Sequence, residues 1–316
     1  MWMGRACGCD HREGREAKVP TLAAERLQRD RFCRLPAADP GSPQAVTQRK
    51  TPTMNSLDRP AHGPAPVDHR AAIAVETARL VAALQDADLT TAVPSCPGWT
   101  LADLVKHTGG VQRWFSSLLH ARIQEPPRTR EVDLRLPERR EEYPDWLTDS
   151  ATVAAQAFAA TDPDLPMWAW GVDQHARFWA RRMLFETLLH RVDAELALGR
   201  RPTIDRPSAV DGVDEFLVNL PFATFFAPHV ANLRGPDKAI RFCATDGEEN
   251  WLVRLRPDGF GLDTNPGTAE TADSTVHGTA ADLLLLVYGR LHHDAASFAR
   301  DGDDDLLSHW FANSAF

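Results

Sequence analysis

The 316-residue chain is 43% hydrophobic and carries a formal net charge of −9, long enough for two ordinary domains that each bury a core. Residues 1–66 hold eleven Lys+Arg against seven Asp+Glu, which leaves −13 on the remainder, and an acidic body without a basic face excludes a nucleic-acid binder. No run of eighteen apolar residues occurs, and the N-terminal MWMGRACGCDHREGREAK lacks the apolar stretch of a secretory signal, so no integral membrane segment is expected. Only Cys96 and Cys243 lie beyond residue 33, too few for a disulfide framework, and a reducing cytoplasm fits. Arginine far outnumbers lysine among abundant Ala, Asp and Pro, the usage of a high-GC bacterial genome such as an actinobacterial one.

In chain order, residues 1–66 mix Pro, Gly, Arg and Gln without sustained periodicity and read as a disordered extension, with Met54 an alternative start. Cys7, Cys9 and His11 look like half a metal site without a second half, a bland feature. From Asp68, the steps Ile73, Thr77, Leu80, Val81 and Leu84 make one apolar stripe and a first helix. The turn-rich TTAVPSCPGWT follows. Thr100 with Asp103 forms a capping-box pair, with Trp99 and Leu104 placed as a hydrophobic staple, opening a second helix to about His120. A long Pro- and Arg-rich connection leads to a third helix, Pro144 to about Ala160, and a fourth runs from about Asp173 to Leu198, ended by Gly199 and Pro202. Four amphipathic helices imply a bundle over 67–205. From 206 to 316 the texture changes. A helix around Val210–Leu220 precedes short strands in KAIRFCATDG, NWLVRLRPDGFGLDT and ADSTVHG, then a buried helix Thr279–Leu291, a second, α+β domain. The HDAASFARDGDDD tail reads as a solvated loop.

On helix four, Glu186 and His190 are four residues apart and project from one face, a spacing that chelates a metal but more often makes a surface pair. Asp193, three residues on, can hold the second nitrogen of the imidazole, as metal-bound histidines require. His107 falls on the stripe Leu104, Val111, Trp114 and Leu118 of helix two and points into the bundle. Together His107, Glu186 and His190 make the three-ligand set with an open position that catalytic zinc uses. Cys96 reads as a packed structural thiol, His175 as out of reach of an ion at His190, and His292 and His293 as neighbours that diverge.

The segments VPSCPGWTLADLVKHTGG (93–110), FWARRMLFETLLHRVDAELALG (178–199), TVHGTAADLLLLVYGRL (275–291) and DGDDDLL (301–307) resemble the mycothiol-dependent maleylpyruvate isomerase family, within the DinB-like metal-binding superfamily, over about residues 68–312. The resemblance implies a DinB-like four-helix bundle followed by a small C-terminal α+β, sterol-carrier-like domain. It also implies a divalent metal, most simply zinc, on His107, Glu186 and His190. It further implies mycothiol as a low-molecular-weight thiol cofactor, adding near the metal to a small electrophilic substrate, with Arg290 in the YGRL segment a candidate contact for an anionic substrate. The activity expected is isomerisation or S-transfer. A non-catalytic metal- or ligand-binding module and a metal-dependent hydrolase, with Asp193 as its general base, stay open beside it.

Overall fold

The computed structural model describes residues 67–127, 132–263 and 271–315. The expectations for residues 1–66, including Met54 and the Cys7/Cys9/His11 group, fall outside these residues. Helix α1 spans His69–Leu84, and the Asp68 carboxylate caps it by accepting from the Ala71 amide. Ile73, Thr77, Leu80 and Leu84 are buried as their spacing predicts. Helix α2, Leu101–Ala121, opens on the expected capping box: the Asp103 amide donates to Thr100 Oγ1 while the Thr100 amide donates to Asp103 Oδ2. Helix α3, Tyr143–Ala159, begins with Pro144 in its first turn. Helix α4 is shorter at its start than expected, Ala176–Ala197, because residues 165–175 instead fold back on themselves, with Ala176 N bonded to Leu165 O. It ends at Gly199, whose φ of +67° is the left-handed conformation that glycine adopts without steric cost.

These helices pack side by side, α1 on α4 and α3, and α2 on α3 and α4. Buried polar pairs fix their register: Arg191 Nε donates to Glu76 Oε2 at 2.7 Å between α4 and α1, and Gln112 Nε2 to Thr77 Oγ1 at 3.1 Å between α2 and α1. Trp179 of α4 is fully buried among Trp114, Phe115, Phe178 and Trp168, with ring centroids 4.8 to 5.9 Å away, edge and tilted contacts that an aromatic core favours. The long connection before α3 is held down at Leu134, whose carbonyl accepts from Trp146 Nε1.

Helix α5, Arg206–Asn219, starts earlier than its apolar pattern suggests, because Asp205 caps it through the Ser208 amide. Strands β1 (Lys238–Ala244), β2 (Asn250–Arg256), β3 (Gly259–Leu262), β4 (Ser274–Gly278) and β5 (Ala299–Gly302) form one sheet in the order β3-β2-β1-β4-β5. The β1–β4 pair is parallel and the other pairs antiparallel. The short helix α6, Ala280–Val287, follows β4 and packs against α5, β4 and β1. Helix α7, Asp304–Asn313, is the last regular element among the described residues.

Two expectations are corrected here. The closing tail is not a solvated loop: residues 299–302 pair with β4, and Asp303 caps α7 through the Leu306 amide, burying Leu306, Leu307 and Trp310. Its acidic run is the first turn of a helix, where carboxylates meet the positive end of the dipole. The buried helix expected to reach Leu291 stops at Val287, with Gly289 at φ +72°. One hydrophobic cluster runs without a break from Trp179 and Phe185 of α4 through Phe216 of α5 and Leu284 of α6 to Phe242 and Trp310. The helical part and the sheet therefore share a core. Among the described residues, no helix is long and apolar enough to cross a membrane.

Candidate metal centre

Thr100 starts α2 so that His107 lies on its inward face two turns on, and α4 brings Glu186 and His190 opposite, one turn apart. His107 Nε2 and His190 Nε2 each lie 3.6 Å from the same oxygen, Glu186 Oε2. The two rings meet edge to face with centroids 4.8 Å apart, and one ligand atom from each of the three residues falls within 4.8 Å of the others. Ligands about 2.0–2.1 Å from a tetrahedral ion stand about 3.3–3.4 Å from one another. The 3.6 Å separations sit close to that edge length and beyond an ordinary hydrogen bond. The donor set, two imidazoles and one carboxylate, therefore fits a divalent ion of the zinc type, with a fourth position left open.

The second atoms of Glu186 and His190 are occupied: Glu186 Oε1 accepts from Arg182 Nη2 at 3.0 Å. His190 Nδ1 lies 2.9 Å from Asp193 Oδ2, which orients the ring so that Nε2 faces Glu186. Asp193 is fully buried and takes a two-point ion pair from Arg290, Nε to Oδ1 at 3.0 Å and Nη2 to Oδ2 at 2.8 Å. Burial alone would raise the pKa of Asp193, but the Arg290 charge and the His190 and Arg290 hydrogen bonds outweigh it and hold the carboxylate ionised. Glu186 follows the same pattern: burial opposes its charge, and the Arg182 guanidinium with the two imidazoles holds its pKa well below the carboxylate range. For His190, burial is opposed by Asp193, Cys96 and Glu186, and the balance favours the protonated ring.

Arg290 is therefore neither a surface residue at a helix end nor a free cation. Its side chain is about one-eighth exposed, at 12%, and its Nη1 also donates to the Tyr288 carbonyl. Cys96, expected to be structural, faces the centre: its half-buried thiol donates to Asp193 Oδ2 at 3.6 Å and groups with His190 and Asp193. Trp99 covers the imidazoles, 5.0 Å from His107 and 6.1 Å from His190 by ring centroid. Cys96 and Trp99 lie in a turn, where no periodicity marks which way a side chain points. Arg182 was legible in principle, one turn before Glu186 on the same helical face. His175 stays at the start of α4, bonded to Asp173.

His292 and His293 do not diverge. Their rings stack at 4.3 Å with an interplanar angle of 29°. The pair lies in a turn rather than a strand, so side chains do not alternate, and both Nδ1 atoms approach Asp294 at 3.3 Å.

Two family models match the chain: the mycothiol maleylpyruvate isomerase N-terminal domain over residues 70–195 and the MDMPI C-terminal domain over residues 207–309. The chain belongs to the mycothiol maleylpyruvate isomerase family. The N-terminal match takes in His107, Glu186, His190 and Asp193, and the C-terminal match takes in Arg290. Among solved structures, a mycothiol-dependent maleylpyruvate isomerase is 16% identical with a TM-score of 0.49, covering 74% of this chain and 91% of that one. A point mutant of a protein so named is 15% identical with a TM-score of 0.48 over the same shares. A stereoselective inverting sec-alkylsulfatase from Pseudomonas sp. is 14% identical with a TM-score of 0.26, covering 76% of this chain and 32% of that one. No curated protein matches the sequence.

Proposed function

We propose that this member of the mycothiol maleylpyruvate isomerase family is a zinc-type metalloenzyme that uses mycothiol to isomerise, or to transfer the thiol to, a small electrophilic acid in the cytoplasm. In this reading residues 67–205 form a DinB-like four-helix bundle that carries the centre, and residues 206–316 form a sterol-carrier-like α+β domain. The observation that carries it is the convergence of His107 Nε2 and His190 Nε2 on Glu186 Oε2 at 3.6 Å each, in a chain of this family. A divalent ion held by His107, Glu186 and His190 would lower the pKa of a thiol brought to it, supplying at neutral pH the thiolate nucleophile that thiol-dependent cis–trans isomerisation needs.

The chain's own residues prepare that chemistry. His107, Glu186 and His190 would hold the ion. Asp193 holds the Nδ1 proton of His190, so that the proton a metal would displace is the one on Nε2, the nitrogen that faces Glu186. Trp99 covers the two imidazoles and excludes water from them. Arg290, held in an ion pair with Asp193, is in this reading the residue that meets an anionic substrate, through its guanidinium donors rather than through a net charge. Asp193 serves poorly as the general base of a hydrolase, because Arg290 and His190 lower its affinity for a proton far from what work at neutral pH needs, and its oxygens are already engaged.

The test is turnover of maleylpyruvate and of a generic thiol-reactive electrophile by the purified full chain, with and without mycothiol and with and without a chelator. The reading expects activity that needs both thiol and metal. Turnover of neither compound under any thiol, or metal-dependent ester hydrolysis that ignores thiol, would sink it.

A further inference from the structure

Beyond the ligands lies a fully buried chain of polar contacts that ends in the C-terminal part of the molecule. Arg182, one turn before Glu186, splits its guanidinium between two carboxylates: Nη2 donates to Glu186 Oε1 at 3.0 Å and Nη1 to Glu215 Oε2 of α5 at 2.9 Å. Tyr288, just after α6, closes the chain. Its hydroxyl donates to the same Glu215 oxygen at 2.5 Å, and Arg182 Nη1 donates to that hydroxyl at 2.8 Å. Asn219 Nδ2 reaches the other Glu215 oxygen at 3.3 Å. Arg182, Glu215 and Tyr288 are each under 9% exposed, and the Tyr288 ring meets Phe216 edge to face with centroids 4.7 Å apart.

Charge and geometry give this chain a consequence for the centre. Arg182 and Glu215 neutralise one another, so the charge of Glu186 is left for whatever binds at its other oxygen. Arg182 takes only Oε1, and Oε2 is the oxygen that faces both imidazoles. Were Arg182 not anchored by Glu215 and Tyr288, its cation would be free to fork across both Glu186 oxygens, the geometry that guanidinium and carboxylate prefer. We propose that Tyr288 and Glu215 are positioning residues for the metal centre: they hold Arg182 so that Glu186 presents a single oxygen, making metal affinity depend on the Tyr288 hydroxyl and the Glu215 carboxylate rather than on the packing of α6.

This inference rests on the ligand set of the proposed function, and the test separates the two. Zinc affinity by competition with a chromophoric chelator, and the visible d–d spectrum of the cobalt form, are measured on the full chain and on Tyr288→Phe, Glu215→Gln and Leu284→Ala. Tyr288→Phe keeps the ring on Phe216 and removes only the hydroxyl. Glu215→Gln tests the same chain from α5 should loss of the phenol unfold the protein. Leu284→Ala loosens α6 without touching the polar chain and reports what mere loss of packing does. The expectation is a weakening of zinc binding by about tenfold or more in Tyr288→Phe and Glu215→Gln, with an altered cobalt spectrum, and wild-type affinity and spectrum in Leu284→Ala. Wild-type affinity and spectrum in both polar variants, in a wild type that loads one metal, overturn the inference alone. A wild type that takes up no metal overturns the ligand set, and the inference with it.

Discussion

Asp193 shows how much of the centre depends on atoms that touch no ligand site. It orients His190 through Nδ1 and neutralises Arg290 in a buried position, so Asp193→Asn leaves a buried guanidinium without its counter-charge and a ring less firmly held. The expected result is a 10–100-fold loss of metal affinity and a loss of ~3 kcal/mol in stability, read by metal titration and by urea unfolding. At this scale the sequence was informative where helical periodicity applies: His107 on an inward stripe, Glu186 and His190 one turn apart, and Asp193 one turn further. It was silent at Cys96 and Trp99, because a turn has no repeat, and at Tyr288, whose partners Arg182 and Glu215 lie on two other helices. The stacking of His292 on His293 was likewise illegible, since adjacent residues separate only in regular structure.

At the scale of elements, α2 and α3 meet at Gly109, where an added Cβ would fall inside the contact distance of the Trp146 ring. Gly109→Ala therefore forces the tryptophan or the helix to shift and is expected to cost about 1–3 kcal/mol by denaturant unfolding. It is also expected to weaken metal binding, because His107 sits on the same helix two residues earlier. Helix starts were readable from capping chemistry, as at Thr100, but the closing segment was not: an acidic run suits a solvated loop as well as a helix N-terminus. The signal that separates the two is the apolar set Leu306, Leu307, Trp310 and Phe311 after the run, spaced for one helical face. Strand β5 is four residues long with no buried member, so it left no alternation to read.

For the whole molecule, the helical part and the sheet are joined by a common hydrophobic cluster and by buried ion pairs, a connection that domain-by-domain reading of patterns does not reveal. Charges at the α1–α4–α5 junction bind them further: Asp211 of α5 lies 2.7 Å from His69 Nε2 and 2.8 Å from Arg181. Burial opposes the charge of Asp211, but Arg181 and His69 lower its pKa below the ordinary carboxylate value. A depressed folded-state pKa contributes stability that is present at neutral pH and lost as pH falls through the acid range in which this carboxylate protonates. Asp211→Asn is thus expected to be less stable than wild type by ~1 kcal/mol at pH 7, with the gap closing below about pH 4 as the wild-type group protonates. A gap that persists unchanged into acid would assign the effect to packing instead.

The central claim is that one divalent ion sits between α2 and α4 on His107, Glu186 and His190. Elemental analysis of the purified full chain beside His107→Ala, Glu186→Ala and His190→Ala, each checked for folding by circular dichroism, tests it most directly. The account predicts about one zinc-type ion per wild-type chain and loss of that ion in each folded variant. Stoichiometric metal retained in all three variants, or none in the wild type after loading with zinc, would contradict it.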